Sequence, residues 1–150
     1  MEKVAIVVGS EKDLEYIEGA KKILEDFGVE YEVFVLSAHR TLDDTIEFAE
    51  NAEKSGFEVI IACAGMAAHL PGVIAAKTLL PVIGVPLPSS EIKGVDALLS
   101  IVQMPTGVPV ATMAIGKAGV KNAALLAIQI IARNNNEIKE KLRKFKENLK

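Results

Sequence analysis

Three short runs with no polar side chain constrain this chain most: residues 4–8 (Val-Ala-Ile-Val-Val), 59–63 (Val-Ile-Ile-Ala-Cys) and 81–85 (Pro-Val-Ile-Gly-Val). A strand with one face in water alternates apolar and polar residues, whereas a strand covered on both faces does not. The runs are rich in β-branched residues and end at Gly or Pro, so they read as inner strands of a parallel sheet with helices on each side. Two further strands are expected at 30–36 and 110–113. Between the strands the apolar spacing turns helical. Residues 11–27 carry Leu14, Ile17, Ala20, Ile23, Leu24 and Phe27, ended by Gly28. Thr41 stands as N-cap, with Asp44 three residues on, for a helix running to Gly56. Helices are further expected at 74–79, 94–102 and 118–133, with a charged C-terminal one over about 136–149. Strands alternating with helices imply one α/β domain over residues 1–150. It is a three-layer αβα sandwich whose parallel, flavodoxin-like sheet has the order 2-1-3-4-5.

Composition removes several classes of function. Net charge is −3, aromatic residues make up 5%, and there is no Trp. With no basic stripe and few rings for stacking, a nucleic-acid partner is not expected. Two histidines, one cysteine and no HExxH spacing predict no metal. Cys63, at the end of an apolar strand, reads as a small structural hydrophobe. No apolar run reaches the roughly 20 residues that span a bilayer, so no membrane partner is expected. Met1-Glu2-Lys3 leads straight into a strand rather than a signal sequence, which makes the cytoplasm the expected compartment.

Open parallel sheets place ligands at the carboxyl ends of their strands, and three loops there carry chemistry. Gly9-Ser10-Glu11-Lys12-Asp13 puts N–H groups and a hydroxyl at a helix start, which suits a phosphate; Ser10 as N-cap and Asp13 on the helix dipole explain it equally well. Ser37-Ala38-His39-Arg40 joins a proton carrier to an anion clamp, or else caps the next helix and faces water. Residues 64–72 (Ala-Gly-Met-Ala-Ala-His-Leu-Pro-Gly) are small and apolar apart from His69. Gly65 and the alanines allow close approach to a ligand, and His69 is either a catalyst or a hydrogen-bonded structural residue. The predicted strand order brings all three loops to one crevice.

In this order, several motifs resemble class I PurE, the N5-carboxyaminoimidazole ribonucleotide mutases of purine biosynthesis. They are Val7-Val8-Gly9-Ser10 with Asp13, Ser37-Ala38-His39-Arg40-Thr41, Ala64-Gly65 with Ala67-Ala68-His69-Leu70-Pro71-Gly72, and Pro81-Val82-Ile83-Gly84-Val85-Pro86. Ser100-Ile101-Val102-Gln103-Met104-Pro105, Gly107, Pro109-Val110-Ala111-Thr112 and Asn122-Ala123-Ala124-Leu125-Leu126 complete the match over nearly the whole chain. The resemblance implies a ribonucleotide substrate and no cofactor. It makes His39 the general acid/base, and His69, with the small-residue loop, the part that covers the imidazole and the transferred carboxyl group. Ser10, Asp13, Ser37, Arg40, Gly65, Ala67 and Leu70 would bind substrate, Arg40 at the 5′-phosphate and Asp13 at the ribose. Three positions depart from the family: Lys12 for a small hydroxyl residue, Leu42 for proline, and Met66 for glycine.

Other readings remain beside it. A class II relative carboxylates aminoimidazole ribonucleotide directly with CO2, but carries Lys where Arg40 stands and lacks the Ala-Ala-His-Leu-Pro loop. A flavodoxin-like binding module would want more aromatics, and a receiver domain would want acids where Val8-Gly9 stands. A nickel-cofactor biosynthesis protein with a related domain would be longer and would lack the Ser-Ala-His-Arg stretch.

Helix 118–133 is apolar on more than one face, and Ile138, Leu142, Phe145 and Leu149 form a seam on the last helix. The seam either folds onto its own domain or meets another subunit. The resemblance favours the second, because class I members are octamers with active sites at subunit junctions.

Overall fold

The computed structural model describes residues 2–149. Its sheet comprises β1 (Lys3–Val8), β2 (Glu30–Val35), β3 (Val59–Gly65), β4 (Val82–Leu87) and β5 (Ala111–Thr112), in the order β2-β1-β3-β4-β5. Every neighbouring pair is parallel. The helices are α1 (Glu18–Asp26), α2 (Leu42–Asn51), α3 (Leu70–Lys77), α4 (Val95–Val102), α5 (Lys117–Ala132) and α6 (Asn136–Glu147).

The unbroken apolar runs have a direct structural cause. Val4, Ile6 and Val8 of β1 point into one core with α1, α5 and α6, while Ala5 and Val7 point into a second core with α2, α3 and α4. In β3, Val59, Ile61 and Cys63 face the first core, and Ile60, Ala62 and Ala64 the second. Register then sets the level of the loops. Val8 pairs with both Val35 and Cys63, and Cys63 pairs with Val85, so four strands reach the same height together.

Several element ends differ from the sequence expectation. Residues 11–16 form a 3₁₀ stretch, and α1 begins only at Glu18. Thr41 occupies the N-cap position without capping: its hydroxyl donates instead to the Ser37 carbonyl, at 3.2 Å. α2 ends at Asn51, and turns carry the chain on to Gly56. α3 starts four residues before Ile74, because Pro71 lies in its first turn, where a missing N–H costs nothing. β4 continues through Pro86 to Leu87, opposite Ala64 and Gly65 of β3.

The α6 seam folds onto its own chain. Ile138 is buried, Leu142 and Phe145 pack against the first core, and Phe145 meets Phe27 edge-on at 5.8 Å between centroids. This seam is therefore not an open subunit contact; only Leu149, past the end of α6, stays exposed. The expected double-sided burial of α5 holds within the chain, with the sheet beneath it and α1 and α6 beside it. No helix among the described residues is long and apolar enough to cross a membrane.

Candidate active site

Ser37 organises the loop after β2. Its amide N–H donates to Thr41 Oγ1 at 2.9 Å, and its Oγ accepts from the Arg40 N–H at 3.0 Å. Its carbonyl accepts from the Thr41 N–H at 3.0 Å and from the hydroxyl of fully buried Thr45 at 3.2 Å. The single Thr45 hydroxyl proton is shared between that carbonyl and Thr41 O, at 2.9 Å, tying the loop to the first turn of α2. Local hydroxyl-to-backbone bonds of this kind compete with capping, which is why Thr41 does not act on the helix. Their effect is to fix the two residues between the anchors, His39 and Arg40.

The loop after β3 meets them. His69, at the N-terminus of α3, accepts or donates through Nδ1 to His39 Nε2 at 2.8 Å, with the rings edge-to-face. That separation allows one proton between the two nitrogens. A doubly protonated pair would aim two N–H donors at each other. The pair is thus able to carry a proton with an internal acceptor, in a cavity that Arg40 also lines. Arg40 forms no ion pair among the described residues, which leaves its donors for an anion.

After β1, Ser10 caps the 3₁₀ stretch by accepting from the Lys12 N–H at 3.3 Å, and Asp13 N–H returns to Ser10 O at 3.0 Å. Asp13 is buried, and desolvation, with a smaller contribution from Glu15, raises its carboxyl above the usual value. A hydroxyl-rich ligand would restore hydrogen bonds to that carboxylate. Cys63 lies just beneath the crevice with no exposure, and burial pushes its thiol up to about 12, where it is no nucleophile.

All nine residues predicted for the site line one cavity of about 420 Å3: Ser10, Asp13, Ser37, His39, Arg40, Gly65, Ala67, His69 and Leu70. Leu70 is buried and forms floor, whereas Ala67 is exposed at the mouth. Lys12 and Met66, two of the three departures from the family, also line the cavity; Leu42 does not. Met66 holds the left-handed φ of +55°, a conformation costing a residue with a side chain about 1–2 kcal/mol. A wider groove of about 780 Å3 lies between β2 and α2, but Phe, Glu and Asn side chains line it and it holds no histidine or arginine. No three His, Cys, Asp or Glu side chains among the described residues cluster as a metal centre requires.

Two contributors were not singled out from sequence, Thr45 and Ser89. Ser89 follows β4 and brings a fourth strand end to the cavity. Its signal was available in principle, since it is a hydroxyl in a loop at the carboxyl end of a strand.

The model of one family, described as AIR carboxylase, matches residues 3–150. The chain belongs to the AIR carboxylase family. Curated members of similar sequence include an N5-carboxyaminoimidazole ribonucleotide mutase of Saccharolobus solfataricus, 57% identical over the whole of this chain and 94% of that protein. A protein of the same description from Escherichia coli K12 is 57% identical over 93% of this chain and 83% of its own length. Among solved structures, Treponema denticola PurE superimposes with a TM-score of 0.87 at 29% identity, covering 98% of this chain and 90% of that one. Membership in the AIR carboxylase family thus agrees with the parallel β2-β1-β3-β4-β5 sheet and its helical layers.

Proposed function

We propose that this chain converts N5-carboxyaminoimidazole ribonucleotide to 4-carboxy-5-aminoimidazole ribonucleotide, as the 57% identical relatives are named to do. The observation that carries the reading is the His39–His69 hydrogen bond in a crevice that also holds an unpaired Arg40. Arg40 binds the 5′-phosphate and Asp13 the ribose hydroxyls. The imidazole then lies towards the histidine pair and the small residues Gly65 and Ala67.

In the first step the carbamate N–C bond breaks. CO2 leaves, and His39 delivers its proton to the exocyclic nitrogen. In the second, ring carbon C4 attacks the trapped CO2, a C–C bond forms, and His39 takes the proton that C4 gives up. The histidine ends as it began, so no ATP is consumed and proton balance closes within the site. A positioned acid/base contributes about 10²–10⁴-fold, and holding CO2 against the ring adds an effective-concentration gain. His69 stays hydrogen-bonded to His39 Nε2, so the proton exchanged with the substrate is the one on the other ring nitrogen of His39. The enzyme works in the cytoplasm, where its nucleotide substrate is made, as a homo-octamer in which neighbouring chains help to enclose the crevice.

Direct carboxylation of aminoimidazole ribonucleotide is the competing reading, supported by the family's description. Arg40 and the 67–71 loop favour the mutase. The test is purified protein with N5-carboxyaminoimidazole ribonucleotide and no ATP, against aminoimidazole ribonucleotide with bicarbonate. Rapid product formation only from the second mixture would replace the mutase by the carboxylase.

A further inference from the structure

Three serine hydroxyls line the crevice, and two of them accept a hydrogen bond from the chain's own backbone. Ser10 Oγ accepts from the Lys12 N–H, and Ser37 Oγ accepts from the Arg40 N–H. Ser89, in contrast, has no hydrogen-bond partner among the described residues, and its Oγ lies against Gly65. A Cβ placed on Gly65 would lie 1.8 Å from Ser89 Oγ, so the hydroxyl sits directly against the Gly65 α-carbon. Its loop is fastened on the far side. Ser90 Oγ donates to Asp96 at 2.8 Å, Lys93 N–H returns to Ser90 O at 3.1 Å, and Gly94, at φ +93°, packs against Pro88 and Leu87. The loop thus brings an unpartnered hydroxyl to the part of the crevice lined by Gly65.

Arg40 enters the cavity on the loop after β2, whereas Gly65, Ala67, Leu70 and Ser89, from the loops after β3 and β4, carry no charge. A carboxylate that must leave as neutral CO2 is poorly served by a full positive charge, which would stabilise the bound anion more than the transition state losing it. A neutral hydroxyl donor orients the carboxylate oxygens at a smaller ground-state cost. Resting on the mutase reading above, we propose that Ser89 donates a hydrogen bond to the transferred carboxyl group and sets its orientation over the ring.

The test compares two nucleotides that differ only in that group. Affinities of wild type and Ser89→Ala for 4-carboxy-5-aminoimidazole ribonucleotide and for aminoimidazole ribonucleotide are measured by calorimetry at one pH. A hydrogen bond to a charged group predicts a loss of about tenfold or more for the carboxylated nucleotide, with the decarboxylated one unchanged. Equal weakening of both would make Ser89 a packing residue against Gly65, and no weakening of either would remove it from the site; both results overturn the proposal. Wild type that binds neither nucleotide overturns the mutase reading itself, and this inference with it. Circular dichroism of Ser89→Ala, which removes a single hydroxyl from an exposed residue, checks that the fold is kept.

Discussion

In the proposed reaction His39 and Arg40, neighbours in the chain, have different roles, so their substitutions should separate in kinetics. His39→Asn keeps a polar, hydrogen-bonding side chain beside His69 and removes the titratable proton. Conversion is expected to fall about 10²–10⁴-fold with the melting temperature unchanged, and turnover near wild type would take His39 out of the mechanism. Arg40→Ala removes an anchor used equally by ground and transition states. KM is expected to rise by about tenfold or more while kcat holds, which is the signature of uniform binding; a collapse of kcat at constant KM would contradict the phosphate role. Both residues were legible in the sequence because a histidine and an arginine stood together where an apolar run ended. Thr45 was not, because a threonine one turn into a helix looks like any other helical residue. Only the fold shows its hydroxyl turned back to the Ser37 carbonyl. Ser89 escaped for a related reason, since its role depends on Gly65, twenty-four positions away and brought near only by the β3–β4 pairing.

At the scale of elements, the placing of the candidate site depends on how closely helices approach β4. Gly84 lies where α3, α4 and the segment before β5 converge. A Cβ there would meet Ile101 Cγ2 at 2.6 Å, Val110 Cγ1 at 2.8 Å and Pro71 Cβ at 3.3 Å. Pro71 belongs to the first turn of α3, two residues after His69, so pressure on it moves the histidine pair. Gly84→Ala is therefore expected to cost about 1–3 kcal/mol by overpacking, read as an earlier urea midpoint, and to lower kcat in the protein that still folds. An unchanged midpoint would show that α3 and α4 yield more easily than their packing suggests. The order of elements was readable because burial on both faces leaves an unmistakable pattern in β1 and β3. Their ends were less so, because proline has opposite meanings in different places. Pro71 lies at a helix start, as its place after His69 suggested, while Pro86 looked like a stop and lies inside β4, where its carbonyl still accepts from Gly116 N–H at 2.9 Å.

For the whole molecule, the question is which surface an assembly would use. The apolar seam of α6 is spent on its own chain, with Ile138, Leu142 and Phe145 against the first core. The fold leaves a different stripe open. Val95, Leu99 and Val102 of α4 are exposed, as is Ile92 just before it, and Leu99 has 57% of its surface in water. Their spacing of three, four and three residues places them along one side of the helix, opposite Ala97 and Ile101, which face the second core. The proposed octamer needs apolar contact between chains, and α4 follows the Ser89 loop, so contact there also reaches the edge of the crevice. Light scattering at micromolar concentration should give about eight times the 16.1 kDa chain mass. Leu99→Glu, which sets a charge in the stripe without touching the core, should shift the mass to smaller species and lower activity with it. Lys144→Glu on the exposed side of α6 should leave the mass alone. A fully active wild-type monomer would remove the octamer from the account, and an octamer indifferent to Leu99→Glu would move the contact away from α4.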